Sequence, residues 1–181
     1  MNEFEKPSES SFLCMQCGLC CDGTLFKRVP IFAEDAPANL KHVGGVGEDG
    51  GGFSLPCRAL RNSICTVYSR RPHACVKYKC KLLVKLAHGA FSFVEAAKII
   101  ANTVEHKTRV KAKFLDMIGE RDGALTVLYQ KMQSSIPVTP DNAPVFLDWA
   151  ALQVRLNRYF RKKPERTALA SNGKAGVSKG S

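Results

Sequence analysis

The sequence predicts an α-rich protein with short strands and irregular segments, in which a cysteine-rich N-terminal half packs on C-terminal helices. Two observations support this fold class. All eight cysteines lie between residues 14 and 80, in a stretch with few apolar runs. Beyond residue 90, apolar residues recur at intervals of three and four, the periodicity of helices with one buried face.

Changes in composition divide the chain into four segments. Residues 1–11 are polar and residues 161–181 are rich in Ser, Gly, Lys and Ala, so both are predicted to be disordered. Between them lie a cysteine-cluster region, residues 12–89, and a helical region, residues 90–160. No apolar run approaches the length that crosses a bilayer, and the N-terminus lacks the features of a secretory signal. We therefore expect a cytoplasmic protein with no membrane partner.

The net charge of +11 is concentrated towards the C-terminus. Six basic residues and one acid follow Phe160, so +5 of this charge belongs to the tail. Bound thiolates would offset part of the remainder. Net charge alone therefore gives little support to a nucleic-acid-binding function, which is not favoured.

The cysteines form two groups of four. The first group is compressed into Cys14-Met15-Gln16-Cys17-Gly18-Leu19-Cys20-Cys21, and the second comprises Cys57, Cys65, Cys75 and Cys80. Adjacent cysteines cannot readily bridge each other, and disulfides do not persist in a reducing cytosol. Cys-x-x-Cys is instead the spacing at which two thiolates converge on a metal ion, and Gly18 suits the tight turn required.

The segment between the two cysteine groups is predicted to contain short elements. A short strand is expected within residues 24–32, where Pro30 would end it or place it at a sheet edge, and a turn or short helix is expected at residues 34–37. Residues 44–52 contain six glycines but lack the Gly-Lys-Ser/Thr ending of a phosphate-binding loop, so we interpret them as a mobile loop. A second short strand is expected at residues 53–55, and Asn62-Ser63 suits a tight turn.

A helix is predicted from about Pro72 to His88, with Ser69 as its N-cap and Gly89 as its stop. Cys75 and Cys80 would lie about 140° apart on such a helix and would not share a face. Either the first turn is distorted or the two thiols occupy different positions around the metal site.

Three further helices are predicted in the C-terminal half. Ser92 and Glu95 form a capping-box pattern before a long apolar stripe that begins at Phe93 and extends to Ile118. The polar residues 105–109 indicate a solvated face or a break. A second helix spans residues 124–132, and a third runs from residue 141 to about 160, with one side formed by Trp149, Leu152, Leu156 and either Tyr159 or Phe160.

The cysteine pattern resembles the YkgJ family of cysteine-cluster proteins. The resemblance rests on Phe12-x-Cys14-x-x-Cys17-Gly18-x-Cys20-Cys21 and, after Cys57, on Cys65-x-Val67-Tyr68-x-x-Arg71-Pro72-x-x-Cys75 and then Cys80. It covers roughly residues 12–80. The resemblance implies a bacterial, mostly cytoplasmic family that chelates zinc or iron, described by some as iron–sulfur proteins; a related pattern occurs in flagellin lysine methylases.

The predicted function is metal binding through all eight thiolates, with a role in structure or in metal and redox handling. The predicted metal ligands are Cys14, Cys17, Cys20, Cys21, Cys57, Cys65, Cys75 and Cys80, and the cofactor is zinc or iron, including an iron–sulfur cluster. Four thiolates around zinc close its coordination shell, which is typical of a structural site. Cys-x-x-Cys-x-x-Cys is close to ferredoxin spacing, although the following Cys-Pro is absent.

Two other functions remain open at this stage, and whether the protein is an enzyme is undecided. An iron–sulfur redox or methyl-transfer enzyme would need a cluster with an open position. A zinc-knuckle nucleic-acid-binding protein would use the tail and the basic residues near the second cysteine group. Among the four histidines, His73 is either a donor near the metal, a replacement ligand or an exposed residue. Tyr68 and Arg71 either support the site or serve packing and surface roles.

Overall fold

The computed structural model describes residues 8–44 and 50–162. Its helices are α1 Glu9–Cys17, α2 Pro37–Leu40, α3 His73–Lys77, α4 Lys81–Ala87, α5 Phe93–Ile118, α6 Leu125–Ser135 and α7 Ala143–Tyr159. Its strands are β1 Arg28–Pro30, β2 Gly52–Ser54, β3 Leu60–Arg61 and β4 Ile64–Cys65, and a short 3₁₀ helix spans Tyr68–Arg70. The α-rich fold class is therefore confirmed.

The longest element, α5, begins at the predicted capping box. The Ser92 hydroxyl accepts from the Glu95 backbone N–H, and the Ser92 backbone N–H donates to the Glu95 carboxylate at 2.7 Å. The helix then continues through residues 105–109, so the break considered there does not occur. His106 is buried instead, with Nε2 2.8 Å from Oδ1 of Asp148 on α7.

Aromatic rings join α5, α6 and α7 in a common core. The ring of Tyr129 stacks on Trp149 with centroids 4.5 Å apart, and Phe114 lies 5.5 Å from Trp149. The α7 residues predicted to share one side are buried here, namely Trp149, Leu152, Leu156 and Phe160. Burial of such a continuous apolar face is the main source of stability in helices of this kind.

The cysteine-rich region packs on these helices, as predicted. Leu13 and Leu19, together with Leu82 and Leu83 of α4, are buried in the same core as the long helices. At the edge of this contact, the Lys107 ammonium pairs with the Asp22 carboxylate at 3.0 Å, and both side chains are largely buried. Asp22 follows Cys21 directly, so the first cysteine group is fixed against α5.

A second, smaller core lies within the cysteine-rich region. It consists of Val43, Phe53, Leu55, Ala59 and Val67. Two antiparallel two-stranded sheets flank it, formed by β1 with β2 and by β3 with β4. The strand expected near Pro30 ends at that residue, and the strand expected at residues 53–55 is β2.

The predicted terminal segments and glycine-rich loop lie at or beyond the limits of the described residues. Helix α1 begins at Glu9, inside the segment predicted to be disordered. The segments predicted to be a disordered tail and a mobile glycine-rich loop lie mostly outside the described residues, apart from 161–162, Gly44 and 50–52. Within the described part of the chain, no helix combines the length and apolar character needed to cross a bilayer.

Candidate metal centre

The first two cysteines lie on α1. Cys14 and Cys17 are three residues apart, so their side chains emerge about 60° apart on one face of the helix. Ser8 caps the helix by accepting from the Ser11 backbone N–H. Gly18 ends it in the left-handed conformation, with φ +66°. That conformation favours glycine and turns the chain directly into the next pair of cysteines.

A tight turn presents Cys20 and Cys21. The backbone N–H groups of Cys21 and Asp22 both donate to the Gly18 carbonyl, at 2.9 and 3.0 Å. The side chain of Leu19, which belongs to the same turn, is fully buried. The Cys57 backbone N–H donates to the Cys21 carbonyl at 2.7 Å, which brings the second cysteine group beside the first.

A two-residue hairpin positions Cys65. Asn62 and Ser63 connect β3 to β4 with φ values of 47° and 66°, the positive values that a type I′ turn requires. The predicted tight turn is thereby confirmed. Leu60 pairs with Cys65 across the hairpin, and the Thr66 hydroxyl donates to the Ala59 carbonyl at 2.9 Å.

The helix predicted from residue 72 to 88 is interrupted, and this corrects the sequence prediction. Tyr78 leaves the helical conformation after α3, and Cys80 becomes the N-cap of α4. The reason lies in α7: the Tyr78 hydroxyl and the Lys81 backbone N–H both donate to the Phe160 carbonyl, at 3.3 and 3.1 Å. Because Cys75 and Cys80 belong to different helices, the angle of 140° expected between them on a single helix no longer applies.

The start of α3 also differs from the prediction. Pro72 rather than Ser69 is the N-cap, and Ser69 lies within the 3₁₀ helix. The Cys75 backbone N–H donates to the Pro72 carbonyl at 2.9 Å. The Gly89 stop is correct, because α4 ends at Ala87 and Gly89 has φ +72°.

The eight thiols surround two neighbouring cavities. The larger, of about 80 Å³, is lined by Cys57, Cys65 and Cys75, which do not line the smaller one. The smaller, of about 50 Å³, is lined by Cys17 and Cys80, which do not line the larger. The remaining cysteines, Cys14, Cys20 and Cys21, reach both cavities.

Electrostatic interactions between thiols divide these shared cysteines. The pKa of Cys20 is raised well above its ordinary value by burial and then by Cys17 and Cys80. The pKa of Cys21 is raised by burial and then by Cys65, Cys57 and Cys75. The strongest thiol interactions of the adjacent cysteines thus involve different partners, although both also interact with Cys14. Cys14 lies between the groups, since it interacts with Cys65 as well as with Cys17 and Cys80.

We name the two groups by the elements that carry them. The helix set lies at the ends of α1 and α4 and comprises Cys14, Cys17, Cys20 and Cys80. The hairpin set lies around the β3–β4 hairpin and the start of α3 and comprises Cys21, Cys57, Cys65 and Cys75. Each set contains four thiols. The helix set combines three cysteines of the first sequence group with one of the second, and the hairpin set combines one of the first with three of the second.

The donor chemistry of both sets fits a metal ion that prefers sulfur. All eight cysteines are free of disulfides, and burial raises the pKa of Cys17 and of Cys75 to about 12. Buried thiolates beside one another need a compensating cation, which zinc or iron supplies. Within the described residues, no three His, Cys, Asp or Glu side chains form a preassembled metal-binding group.

Arg71 is the one basic residue among the described residues that line the larger cavity. Its guanidinium lies 3.5 Å from the centroid of the Tyr68 ring, and its Nε donates to the Tyr68 carbonyl at 2.9 Å. Its Nη1 is 3.9 Å from the Cys14 Sγ, and its charge lowers the pKa of Cys14 against the larger effect of burial. Arg71 and Tyr68 both line this cavity.

His73 lies beside the larger cavity without lining it. Its backbone N–H donates to Oδ1 of Asp35 at 2.6 Å, and its ring meets that of Phe32 edge-on. The imidazole Nε2 is buried with no hydrogen-bond partner among the described residues. His73 is thus only half-exposed, which contradicts its interpretation as an exposed residue.

Tyr78 is a site residue that the sequence analysis missed. It lines both cavities, and its ring packs edge-on against Phe26 at 4.9 Å. Burial and the thiols of Cys20 and Cys80 raise the pKa of its hydroxyl, so the phenol stays neutral. In the sequence, only its position between Cys75 and Cys80 indicated that Tyr78 is a site residue. The interruption of the helix then places Tyr78 between the two cavities.

Comparison with known proteins gives one match. Residues 13–96 match the family model CxxCxxCC, described as a putative zinc- or iron-chelating domain. This is the same family as YkgJ, so the resemblance seen in the sequence is confirmed. No curated protein and no solved structure matches the chain.

Proposed function

Residues 13–96 match the CxxCxxCC family model, described as a putative zinc- or iron-chelating domain, and on that premise we propose that the chain binds two metal centres through its eight cysteines. The helix set holds one centre and the hairpin set holds the other. The observation that carries this proposal is the arrangement of eight unbridged thiols around two adjacent cavities.

The role that best fits this arrangement is structural zinc. Four thiolates complete the coordination shell of zinc and leave no position for a substrate. The surrounding elements are short, with strands of two or three residues and an α3 of five residues. Such elements have few internal hydrogen bonds, so two ions that each join distant segments would supply much of their stability.

One observation favours a second candidate for the helix set. Its members form Cys14-x-x-Cys17-x-x-Cys20 with a distant fourth cysteine, Cys80, a spacing close to that of ferredoxin iron–sulfur ligands. In this candidate the helix set holds an iron–sulfur cluster and the hairpin set a single ion. The cluster would supply electron transfer, or a redox-sensitive structural element, at that position.

Paired substitutions test the division into two sets. Cys17→Ser with Cys80→Ser removes two ligands of the helix set, and Cys57→Ser with Cys75→Ser removes two of the hairpin set. Native mass spectrometry should find two metal centres in the wild type and one in each paired variant. Retention of both centres in either variant, or loss of both, would show that the division is wrong.

Metal identity is tested on protein purified without oxygen. Zinc at two equivalents with no visible absorption is the expected result for two structural sites. Brown protein with iron and acid-labile sulfide, lost in the Cys17→Ser/Cys80→Ser variant but kept in the Cys57→Ser/Cys75→Ser variant, would establish the second candidate. Protein with no metal and eight thiols open to alkylation before unfolding would overturn both.

A further inference from the structure

A basic cleft lies between α5 and α7, away from both thiol cavities. It has a volume of about 340 Å³ and is lined by Lys98 and Asn102 of α5 and by Val154, Arg155 and Arg158 of α7, among others. The helices run antiparallel here, because Lys113 farther along α5 pairs with Asp148 near the start of α7. The cleft therefore lies near the N-terminal end of α5 and the C-terminal end of α7.

The three cations of the cleft form no salt bridge within the described residues. Lys98, Arg155 and Arg158 have no carboxylate of residues 8–44 or 50–162 within ion-pair distance, and the Arg158 guanidinium instead lies 5.2 Å from the Tyr159 ring centroid. No acid lines the cleft. Glu95, which interacts weakly with Lys98, is hydrogen-bonded to both the backbone N–H and the hydroxyl of Ser92. The cleft thus presents positive charge that this part of the chain does not neutralise.

An exposed apolar stripe extends from the cleft along α7. Leu147 and Val154 are each 68% exposed, and Ala151 between them is also exposed. Positions 147, 151, 154 and 158 are separated by four, three and four residues, so they share one face of the helix. This face is distinct from the one buried in the core, where Leu152 and Leu156 lie. Exposed apolar residues aligned in this way mark an interaction surface.

We propose that the cleft and stripe together are the docking site for an acidic amphipathic helix of a partner protein. Its apolar side chains would cover Leu147 and Val154, and its carboxylates would pair with Lys98, Arg155 and Arg158. The stripe and cleft extend about 16 Å along α7, or roughly three helical turns, a length suited to recognition of one helix in a groove. A nucleic acid would use the cations but leave the apolar stripe uncovered.

This proposal is independent of the metal centres, so it is tested on the metal-loaded, full-length chain. The probe is a display library of three-turn helical peptides with leucines on one face and glutamates beside them. Selection uses the wild type, with counter-selection against Arg155→Glu/Arg158→Glu. Enriched peptides should bind the wild type and lose at least about tenfold in affinity with the counter-selecting variant or with Leu147→Ser/Val154→Ser, which corresponds to about 1.4 kcal/mol.

A matched control distinguishes an effect of the cleft on peptide affinity from an effect of the overall positive charge. Arg58→Glu/Arg61→Glu makes the same change in net charge at two exposed residues on another surface, and it should leave peptide affinity unchanged. Failure to enrich any acidic peptide, or equal weakening by the control, would overturn the proposal. The proposal would also be overturned if single-stranded oligothymidylate bound more tightly than the acidic peptides and with a steep salt dependence. In that case binding would be lost in Arg155→Glu/Arg158→Glu and unaffected by Leu147→Ser/Val154→Ser. Metal content and helicity are measured for every variant to establish that it is folded.

Discussion

The two halves of this protein are held together in different ways. In the helical half, α5 and α7 span 26 and 17 residues and bury continuous apolar faces that include Phe114 and Trp149. In the cysteine-rich half, the described elements have two to nine residues, and the separate core has five buried residues. The contrast indicates that apolar burial suffices for the first half, whereas the second requires bonds between distant segments.

Metal removal is the strongest way to test this contrast. Each structural metal site is worth on the order of 10 kcal/mol, so chelation should unfold residues 12–80 while α5, α6 and α7 retain most of their protection. Hydrogen exchange measured before and after chelation reports both halves at once. Protection that is unchanged across residues 12–80 would contradict the proposed role of the metal.

Acid should release the metal over a narrow pH range. Burial raises the pKa of thiols in both sets above the ordinary 9.0, for example in Cys14, Cys57 and Cys80, so these thiols are protonated in the metal-free protein at neutral pH. Each metal bound by four thiols must then displace four protons, which weakens binding by about 5 kcal/mol for each unit that pH falls.

This pH dependence is measured by metal release into a chromogenic chelator and by proton release on loading. About eight protons should be released for two metals at neutral pH. Release of four or fewer would show that half of the thiols, or more, are not ligands.

Phe114→Ala tests the helical half in the same way. Removing a fully buried phenylalanine typically costs 3–5 kcal/mol, which we take as about 4 kcal/mol here, because Phe114 contacts both Tyr129 and Trp149. Denaturant unfolding should show this loss, while native mass spectrometry should still find two metal centres. Loss of metal in the variant would mean that the halves are less independent than their packing indicates.

Asp148 provides a smaller test within the helical half. Burial would raise the pKa of its carboxyl, but hydrogen bonds from Lys113, Arg109 and His106 lower it to about 2. A lowered pKa stabilises the fold above the unfolded value of 3.8 and ceases to do so as pH falls through about 2. Asp148→Asn should therefore cost about 2 kcal/mol at neutral pH. Unfolding curves at pH 7 that match the wild type would contradict this.

Arg71→Ala should have the smallest effect, confined to the cysteine-rich half. Loss of the guanidinium removes a cation 3.9 Å from the Cys14 Sγ, which disfavours the thiolate, so metal should be released at a higher pH by up to about one unit. Arg71→Lys is the matched control, since it keeps the charge and should recover part of the shift. An unchanged release pH in Arg71→Ala would leave Arg71 with a packing role against Tyr68.

Local sequence signals predicted those elements whose determinants lie close together in the chain. The capping box at Ser92 and Glu95 and the Asn62-Ser63 turn each depend on residues within a few positions of one another. The interruption at Tyr78 depends on the carbonyl of Phe160, and the burial of His106 depends on Asp148. Those partners are distant in sequence, so neither feature has a local signature.

The candidate site shows the same limit. The family pattern identifies the eight cysteines, but the proposed grouping of Cys20 with Cys80 and of Cys21 with Cys57 depends on the turn at Gly18 and on the interrupted helix. Sequence spacing alone does not say which distant cysteines accompany Cys20 and which accompany Cys21.

The hydrogen bonds that end on Phe160 have a consequence for biosynthesis. The Cys80 thiol is made about 80 residues before the carbonyl that accepts from Tyr78 and Lys81. At a synthesis rate of roughly 5–20 residues per second, the Cys80 thiol waits about 4–16 seconds for that contact, and the seven earlier thiols wait longer. During this interval the nascent chain exposes a dense group of reactive sulfurs on the ribosome. Early metal capture would protect them from oxidation before the last helix is complete.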